Sequence, residues 1–285
     1  MFSKPIAKRS MRLVVLTLLV FAAACGGKES STPTGPSPAP SSPTFTLQGD
    51  PASTQGATWT YVGALEGVAF DLQGILLKPQ GGGPFPAVIL SHGAGGSANV
   101  YSRGVAAEMV RWGLVCIATN YTHAGGVSLG APGTLLEPGA SQANVRRAHA
   151  VYEILRTLGY VDMRRVAAHG HSMGAFVTTA LLATYPNDFR AASHTAGGVR
   201  TDAFAFGPAP PESQATSIRT PYQLHHGDAD SVVPIASDRR LDSVLQTIGV
   251  PHDLRVYPGA EHNDVSNNPT VLAAIRAWYG SHGMF

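Results

Sequence analysis

Gly170-His-Ser-Met-Gly174 is the sharpest chemical signal in the chain. It lies between a strand-like apolar run over 166–169 and a helix-like run over 175–185, the strand–turn–helix setting of a nucleophile elbow. Glycines at both ends permit a turn too tight for flanking side chains. Such a turn lifts the Ser172 hydroxyl to the carboxyl edge of a sheet, at a helix N-terminus. A serine hydroxyl attacks a carbonyl only when a base takes its proton, and an acceptor must orient that base.

In this topology an acid and then a histidine follow the serine, each just after a later strand. The run over 222–225 leads into His226-Gly-Asp-Ala-Asp-Ser-Val-Val-Pro234, and the run over 253–257 into Gly259-Ala-Glu-His-Asn-Asp264. Of the 11 histidines, His262 alone occupies the loop expected to carry the base. Asp230, Asp228 and Asp264 compete for the acid, and Asp228 also fits a simple turn residue, because Asp accepts from nearby backbone N–H groups. The other histidines read as structural or exposed, His225 and His226 as the end of a strand. No carboxylate or third ligand accompanies them, so no metal site is expected.

Acyl transfer also needs fixed donors for the developing oxyanion. The N–H of Met173, next after the serine and at the helix start, is one candidate. The glycine-rich stretch Ser91-His-Gly-Ala-Gly-Gly-Ser97 offers a second at Ala94, although a plain flexible turn reads the same way.

The elements that must hold these groups alternate. Strands over 58–62 and 68–77 form an antiparallel opening pair, and the continuous apolar run 84–90 is a strand buried on both faces. A helix over 105–112, a strand over 114–118 and a helix over 141–158 follow. Further strands fall at 191–196, 222–225 and 253–257, with helices over 236–248 and 270–279. This is an α/β pattern: a mostly parallel central sheet with helices on both faces. The Gly-, Pro- and Ala-rich segment 197–219 reads as a loop or small lid. With the loop 119–138 it is expected to line the pocket, with Tyr121, His123 and Phe204 as candidate substrate contacts, of which Tyr121 and Phe204 read equally as packing residues.

Across 285 residues, 44% are hydrophobic and 13% charged, which excludes wholesale disorder. Two cysteines are too few for a disulfide scaffold or a thiolate metal site. Lys4, Lys8, Arg9 and Arg12 precede a short apolar run and Ala22-Ala-Ala-Cys25, the pattern of a secretory leader over 1–24. Its apolar run falls short of a bilayer-spanning helix. With those four cations removed, the mature chain has more acidic than basic residues, and nucleic-acid binding is not expected. Residues 25–48 are Ser- and Pro-rich, a solvated tether ahead of a folded domain over 49–285, with its ordered start near 45–58. Cys116 sits in an apolar strand as a small hydrophobe.

Ala22-Ala-Ala-Cys25-Gly-Gly resembles a bacterial lipobox, which implies cleavage before Cys25 and its lipidation. The chain is then exported and anchored to a bacterial membrane by lipid alone; an ordinary secreted protein is the alternative. Four motifs together, Ser91-His-Gly-Ala-Gly-Gly, Gly170-His-Ser-Met-Gly, His226-Gly-Asp-Ala-Asp-Ser-Val-Val-Pro and Glu261-His-Asn, resemble the α/β-hydrolase superfamily over about 58–280. Within it the chain is similar to the dienelactone-hydrolase-like and platelet-activating-factor-acetylhydrolase-like branch of serine esterases. The resemblance implies Ser172 as nucleophile, Asp230 as orienting acid, His262 as base, and the N–H groups of Ala94 and Met173 as oxyanion hole. It implies hydrolysis of a small carboxylic ester through an acyl-enzyme, without metal or organic cofactor. True dienelactone hydrolases have cysteine where Ser172 stands, which argues against that particular reaction. Polyester-degrading relatives carry an aromatic where Ala94 stands and a C-terminal disulfide that this chain lacks. Two other classes compete: a serine peptidase of the same fold, and a surface lipoprotein that has lost its chemistry.

Overall fold

The computed structural model describes residues 43–125, 138–205 and 208–285. The leader, Cys25 and the tether up to 42 lie outside the described residues, as does 126–137 of a loop expected beside the site. Among the described residues, nine strands form one sheet. They are β1 (Thr44–Gln48), β2 (Ala57–Leu65), β3 (Val68–Leu77), β4 (Phe85–Ser91), β5 (Val115–Thr119), β6 (Val161–His171), β7 (Ala191–Thr195), β8 (Tyr222–Gly227) and β9 (His252–Tyr257). Their spatial order is β1-β2-β3-β5-β4-β6-β7-β8-β9. The pairings of β1 with β2, β2 with β3 and β3 with β5 are antiparallel, and all the others are parallel.

Side-chain parity explains why the middle strands read as continuous apolar runs. On β4, Ala87 and Ile89 enter one core while Val88 and Leu90 enter the other. On β5, Val115 and Ile117 face the first core, and Cys116 and Ala118 the second. Successive residues on a strand point to opposite faces, so a strand covered on both sides must be apolar at every position. The first core is closed by α2 (Gln142–Thr157), α3 (Met173–Thr184) and α5 (Ala236–Thr247). The second is closed by α1 (Arg103–Met109) and α6 (Pro269–Ser281). Cys116 is free and wholly buried there, and burial pushes its thiol far above the usual range. The segment 197–219 contains a bridge between Thr201 and Phe204 and the single turn α4 (Glu212–Ala215).

The start of the sheet differs from the sequence reading. β1 occupies residues assigned to the end of the tether, so the sheet begins at Thr44. Thr44-Phe-Thr-Leu-Gln48 alternates in the two-residue period of a strand, a pattern masked by the Ser/Pro run before it. Phe45 seats this strand against Trp59 of β2, with ring centroids 5.8 Å apart.

Phe45→Ala is therefore expected to cost about 1 kcal/mol and lower the melting temperature by about 2–4 °C. Calorimetry checks this; an unchanged melting temperature would mean the segment behaves as tether.

Candidate active site

β6 runs on to His171 and α3 begins at Met173, leaving Ser172 as the single residue of the turn. Its backbone sits at φ 56° and ψ −120°, a strained conformation for a residue with a side chain. Two glycines make the turn feasible. A Cβ on Gly170 would collide with the backbone of Gly174, and one on Gly174 with the carbonyls of Ser91 and His92. The elbow therefore packs directly on the loop that follows β4. The Ser172 N–H donates to the Thr195 carbonyl at 3.0 Å, tying the turn to β7.

Three side chains meet at this edge. His262 Nε2 lies 2.8 Å from Ser172 Oγ, and His262 Nδ1 lies 2.7 Å from Asp230 Oδ2. A carboxylate at Nδ1 fixes the proton there, so Nε2 presents its lone pair to the serine hydroxyl. The other oxygen, Asp230 Oδ1, accepts the N–H groups of Val232 and Val233, both at 2.8 Å. The hydroxyl is partly exposed, while His262 and Asp230 are buried.

The rival acids do other work. Asp228 Oδ1 accepts the Gly259 N–H at 2.6 Å, and Asp264 Oδ2 accepts the Glu261 N–H at 2.8 Å. Both therefore staple the loops that carry Asp230 and His262. Those loops approach so closely that a Cβ on Gly227 would strike the Ala260 carbonyl.

The loop after β4 crosses over the serine: a Cβ on Gly93 would sit 3.2 Å from Ser172 Cβ. Among the described residues, the N–H groups of Ala94 and Met173 find no backbone acceptor. Met173 is the first residue of α3, whose leading N–H groups have no partner within the helix. Tyr121, open to either role in the sequence, and His123, expected to touch substrate, both brace this loop as packing residues. The Tyr121 hydroxyl lies 2.8 Å from Ser91 Oγ, and His123 Nε2 lies 3.0 Å from the His92 carbonyl. Both are nearly fully buried, and burial brings the His123 imidazole down to about 4. Phe204 packs on Phe176, beside Ala209 and Val233, in a small apolar cluster.

The histidines around the site differ in charge. His171 lies against His262, ring centroids 5.0 Å apart, and burial together with that neighbour holds it down to about 3. It is therefore neutral and does not oppose a charge forming on His262. Burial alone would raise the Asp230 carboxyl, but hydrogen bonds from His226 and His262 and from the Val233 N–H hold it well below the usual carboxylate range. His226 was read from the sequence as a mere strand end. Asp238, 2.7 Å from the His226 Nδ1, shows in the sequence as an acid on the buried face of α5, with Leu241 and Leu245. Among the described residues, no three His, Cys, Asp or Glu side chains are grouped to hold a metal ion.

A family model described as the dienelactone hydrolase family matches residues 72–279, a span holding all three converging side chains. The chain belongs to the dienelactone hydrolase family. A search of curated proteins finds no match. Among solved structures, the chain is similar to a puromycin-hydrolyzing peptidase from Mycobacterium tuberculosis, with TM-score 0.63, 20% identity and coverage of 84% of this chain and 46% of that one. It is also similar to an acylaminoacyl peptidase from Pyrococcus horikoshii, with TM-score 0.60, 18% identity and coverage of 73% and 38%. A thermophilic esterase from Thermogutta terrifontis gives TM-score 0.59, 15% identity and coverage of 78% and 90%. At these identities the likeness is one of fold, and the chain spans less than half the length of either peptidase. Esterases and peptidases both occur on this α/β-hydrolase frame, and this family member is a hydrolase of that type.

Gly174→Ala should force the elbow away from the Ser91–His92 backbone and cost about 1–3 kcal/mol, read by urea unfolding. Unchanged stability would mean that the two segments do not touch.

Proposed function

We propose that this family member is a serine esterase, cleaving small carboxylic esters through an acyl-enzyme on Ser172. The observation that carries this reading is the continuous run from Ser172 Oγ through the His262 ring to Asp230, with links of 2.8 and 2.7 Å. In the proposed reaction Oγ bonds to the ester carbonyl carbon as Nε2 of His262 takes its proton. The carbonyl oxygen becomes an oxyanion on the N–H groups of Ala94 and Met173, where one such donor contributes about 3–4 kcal/mol. The carbon–oxygen bond to the alcohol then breaks, and His262 returns the proton to that leaving oxygen. Water attacks the acyl-enzyme with His262 again as base, releasing the acid and restoring Ser172. Asp230 stays ionised throughout, orienting the ring and stabilising the imidazolium. Serine in place of the family's cysteine makes this base indispensable, because an alcohol has no appreciable thiolate-like form near neutral pH.

The peptidase neighbours sustain a second reading, amide hydrolysis. Those enzymes are more than twice as long as the part matched here, so the segments outside the match have no counterpart in this alignment. We also propose export and anchoring through lipid on Cys25, supported by Ala22-Ala-Ala-Cys25 and the cationic leader.

Ser172→Ala should lower hydrolysis of p-nitrophenyl acetate by a factor on the order of 10⁶ with unchanged circular dichroism, and retained turnover would overturn the assignment. Asp230→Asn should cost on the order of 10⁴, and Asp228→Asn far less; the reverse ranking would mean that the other aspartate orients the base. A fluorophosphonate probe should label Ser172 covalently, whereas an unreactive serine would favour a silent lipoprotein. An ester and an amide of one acyl group, both with unactivated leaving groups, separate esterase from peptidase by relative kcat/KM. Intact mass of membrane-extracted protein should show a diacylglycerol-sized addition at Cys25, and an unmodified cysteine would refute the anchor.

A further inference from the structure

Directly behind Asp230 lies a buried cluster that the reaction as written does not use. His226, near the end of β8, is wholly buried. Its Nδ1 is 2.7 Å from Asp238 Oδ2. Its Nε2 is 2.8 Å from the Val233 carbonyl oxygen and 3.3 Å from Asp230 Oδ2. Every one of these partners accepts and none donates. A neutral ring would point a bare lone pair at one of them in a buried site, so both nitrogens must carry hydrogen. Asp238, also wholly buried, accepts a second bond from His194 Nε2 at 2.7 Å. His194 Nδ1 in turn meets the Tyr222 hydroxyl.

We propose that His226 is a positioning residue of the site, a buried imidazolium kept charged by Asp238 that clamps both the Asp230 carboxylate and the turn carrying it. The clamp is double. Val233 donates its N–H to Asp230 Oδ1 and receives His226 on its carbonyl, so a single residue links cation and carboxylate. The charges alternate, Asp238 negative, His226 positive, Asp230 negative, which offsets the cost of burying each one. Burial alone would lower the His226 imidazole; the charge of Asp238 and the hydrogen bonds that His226 donates to Asp230 and Asp238 override it and raise it to about 10.

Charged and titratable groups face His226 from several elements. Asp230 comes from the loop after β8 and Asp238 from α5, with His194 of β7 behind Asp238 and His262 across Asp230. His225, its neighbour on β8, turns instead to Tyr257 and Gln223. A cation beside Asp230 weakens the pull of that carboxylate on the His262 proton. Removing the cation should therefore move the acid limb of the kcat/KM profile to higher pH.

The inference rests on the triad reading, and its tests separate the two. In the full chain, nitrogen-15 spectra should show His226 protonated at both nitrogens from pH 7 to 9; a neutral ring at pH 7 would overturn the proposal whatever the enzyme hydrolyses. His226→Gln keeps a donor for Val233 but no charge. It should lower kcat on p-nitrophenyl acetate about tenfold to a hundredfold, leave KM within about twofold, and shift the acid limb upward by about half a pH unit or more. Asp238→Asn should act in the same direction and serves if His226→Gln does not fold. A variant that only loses stability, with kcat and acid limb unmoved, would reduce His226 to a structural role and overturn the proposal. Wild-type protein that neither hydrolyses the ester nor takes the fluorophosphonate would instead sink the triad reading, leaving the spectra to decide the charge of His226.

Stability should follow the same ionisation. A group whose folded value is raised contributes fully below its unfolded value, near 6.5, and that contribution is lost as pH climbs through about 10. The melting temperature should fall progressively between about pH 7 and 10, and His226→Gln should flatten that fall.

Discussion

Asp230 carries its charge inside the protein, and everything at this edge of the sheet is arranged around the donors that make this tolerable. Two backbone N–H groups from its own loop reach one oxygen, and the imidazoles of His262 and His226 approach the other. An ionised carboxylate buried without such partners would cost several kcal/mol and would take up a proton. A protonated acid could no longer hold the His262 tautomer that offers Nε2 to the serine. The same requirement explains the close approach of the loops after β8 and β9, where Gly227 leaves room for Ala260 and Asp228 captures the Gly259 N–H.

A second constraint is steric. Ser172 can stand alone between β6 and α3 only because Gly170 and Gly174 carry no side chains. The missing Cβ of Gly174 also lets the Ser91–His92 backbone come down on the helix, bringing Gly93 over the serine. Strain at Ser172 is held in place by the wide cores on either side of the sheet, where β4, β5 and β6 are buried on both faces. Buried Tyr121 and His123 stiffen the glycine-rich loop from the far side, since glycine itself supplies no rigidity.

Much of this was legible in the residues. The doubly buried strands are continuous apolar runs, and strands 84–90 and 253–257 lie within a residue of β4 and β9. Gly-x-Ser-x-Gly announces its turn because only that spacing of glycines admits it. β1 was hidden because a short alternating segment after a Ser/Pro run reads as more of the same. The strand ahead of the elbow reads as ending at 169 because Gly170 and His171 are not apolar, yet parallel pairing with β4 and β7 carries the ladder to Ser91 and Thr195. Backbone pairing with neighbours, invisible in a single sequence, won over composition.

The sequence by itself determined the alternation of strands and helices, the glycine-flanked serine, and the order in which acid and histidine follow it, since these depend on local periodicity and backbone sterics. Which aspartate meets His262, and that His226 and Asp238 stand behind it, was decided only by the tertiary structure. Asp228, Asp230 and Asp264 are chemically identical, and what separates them is burial and the direction of neighbouring N–H groups. Those are set where β7, β8, β9 and α5 converge, through contacts such as Asp230 with His262, 32 positions apart, and His194 with Asp238, 44 apart, that no local pattern encodes.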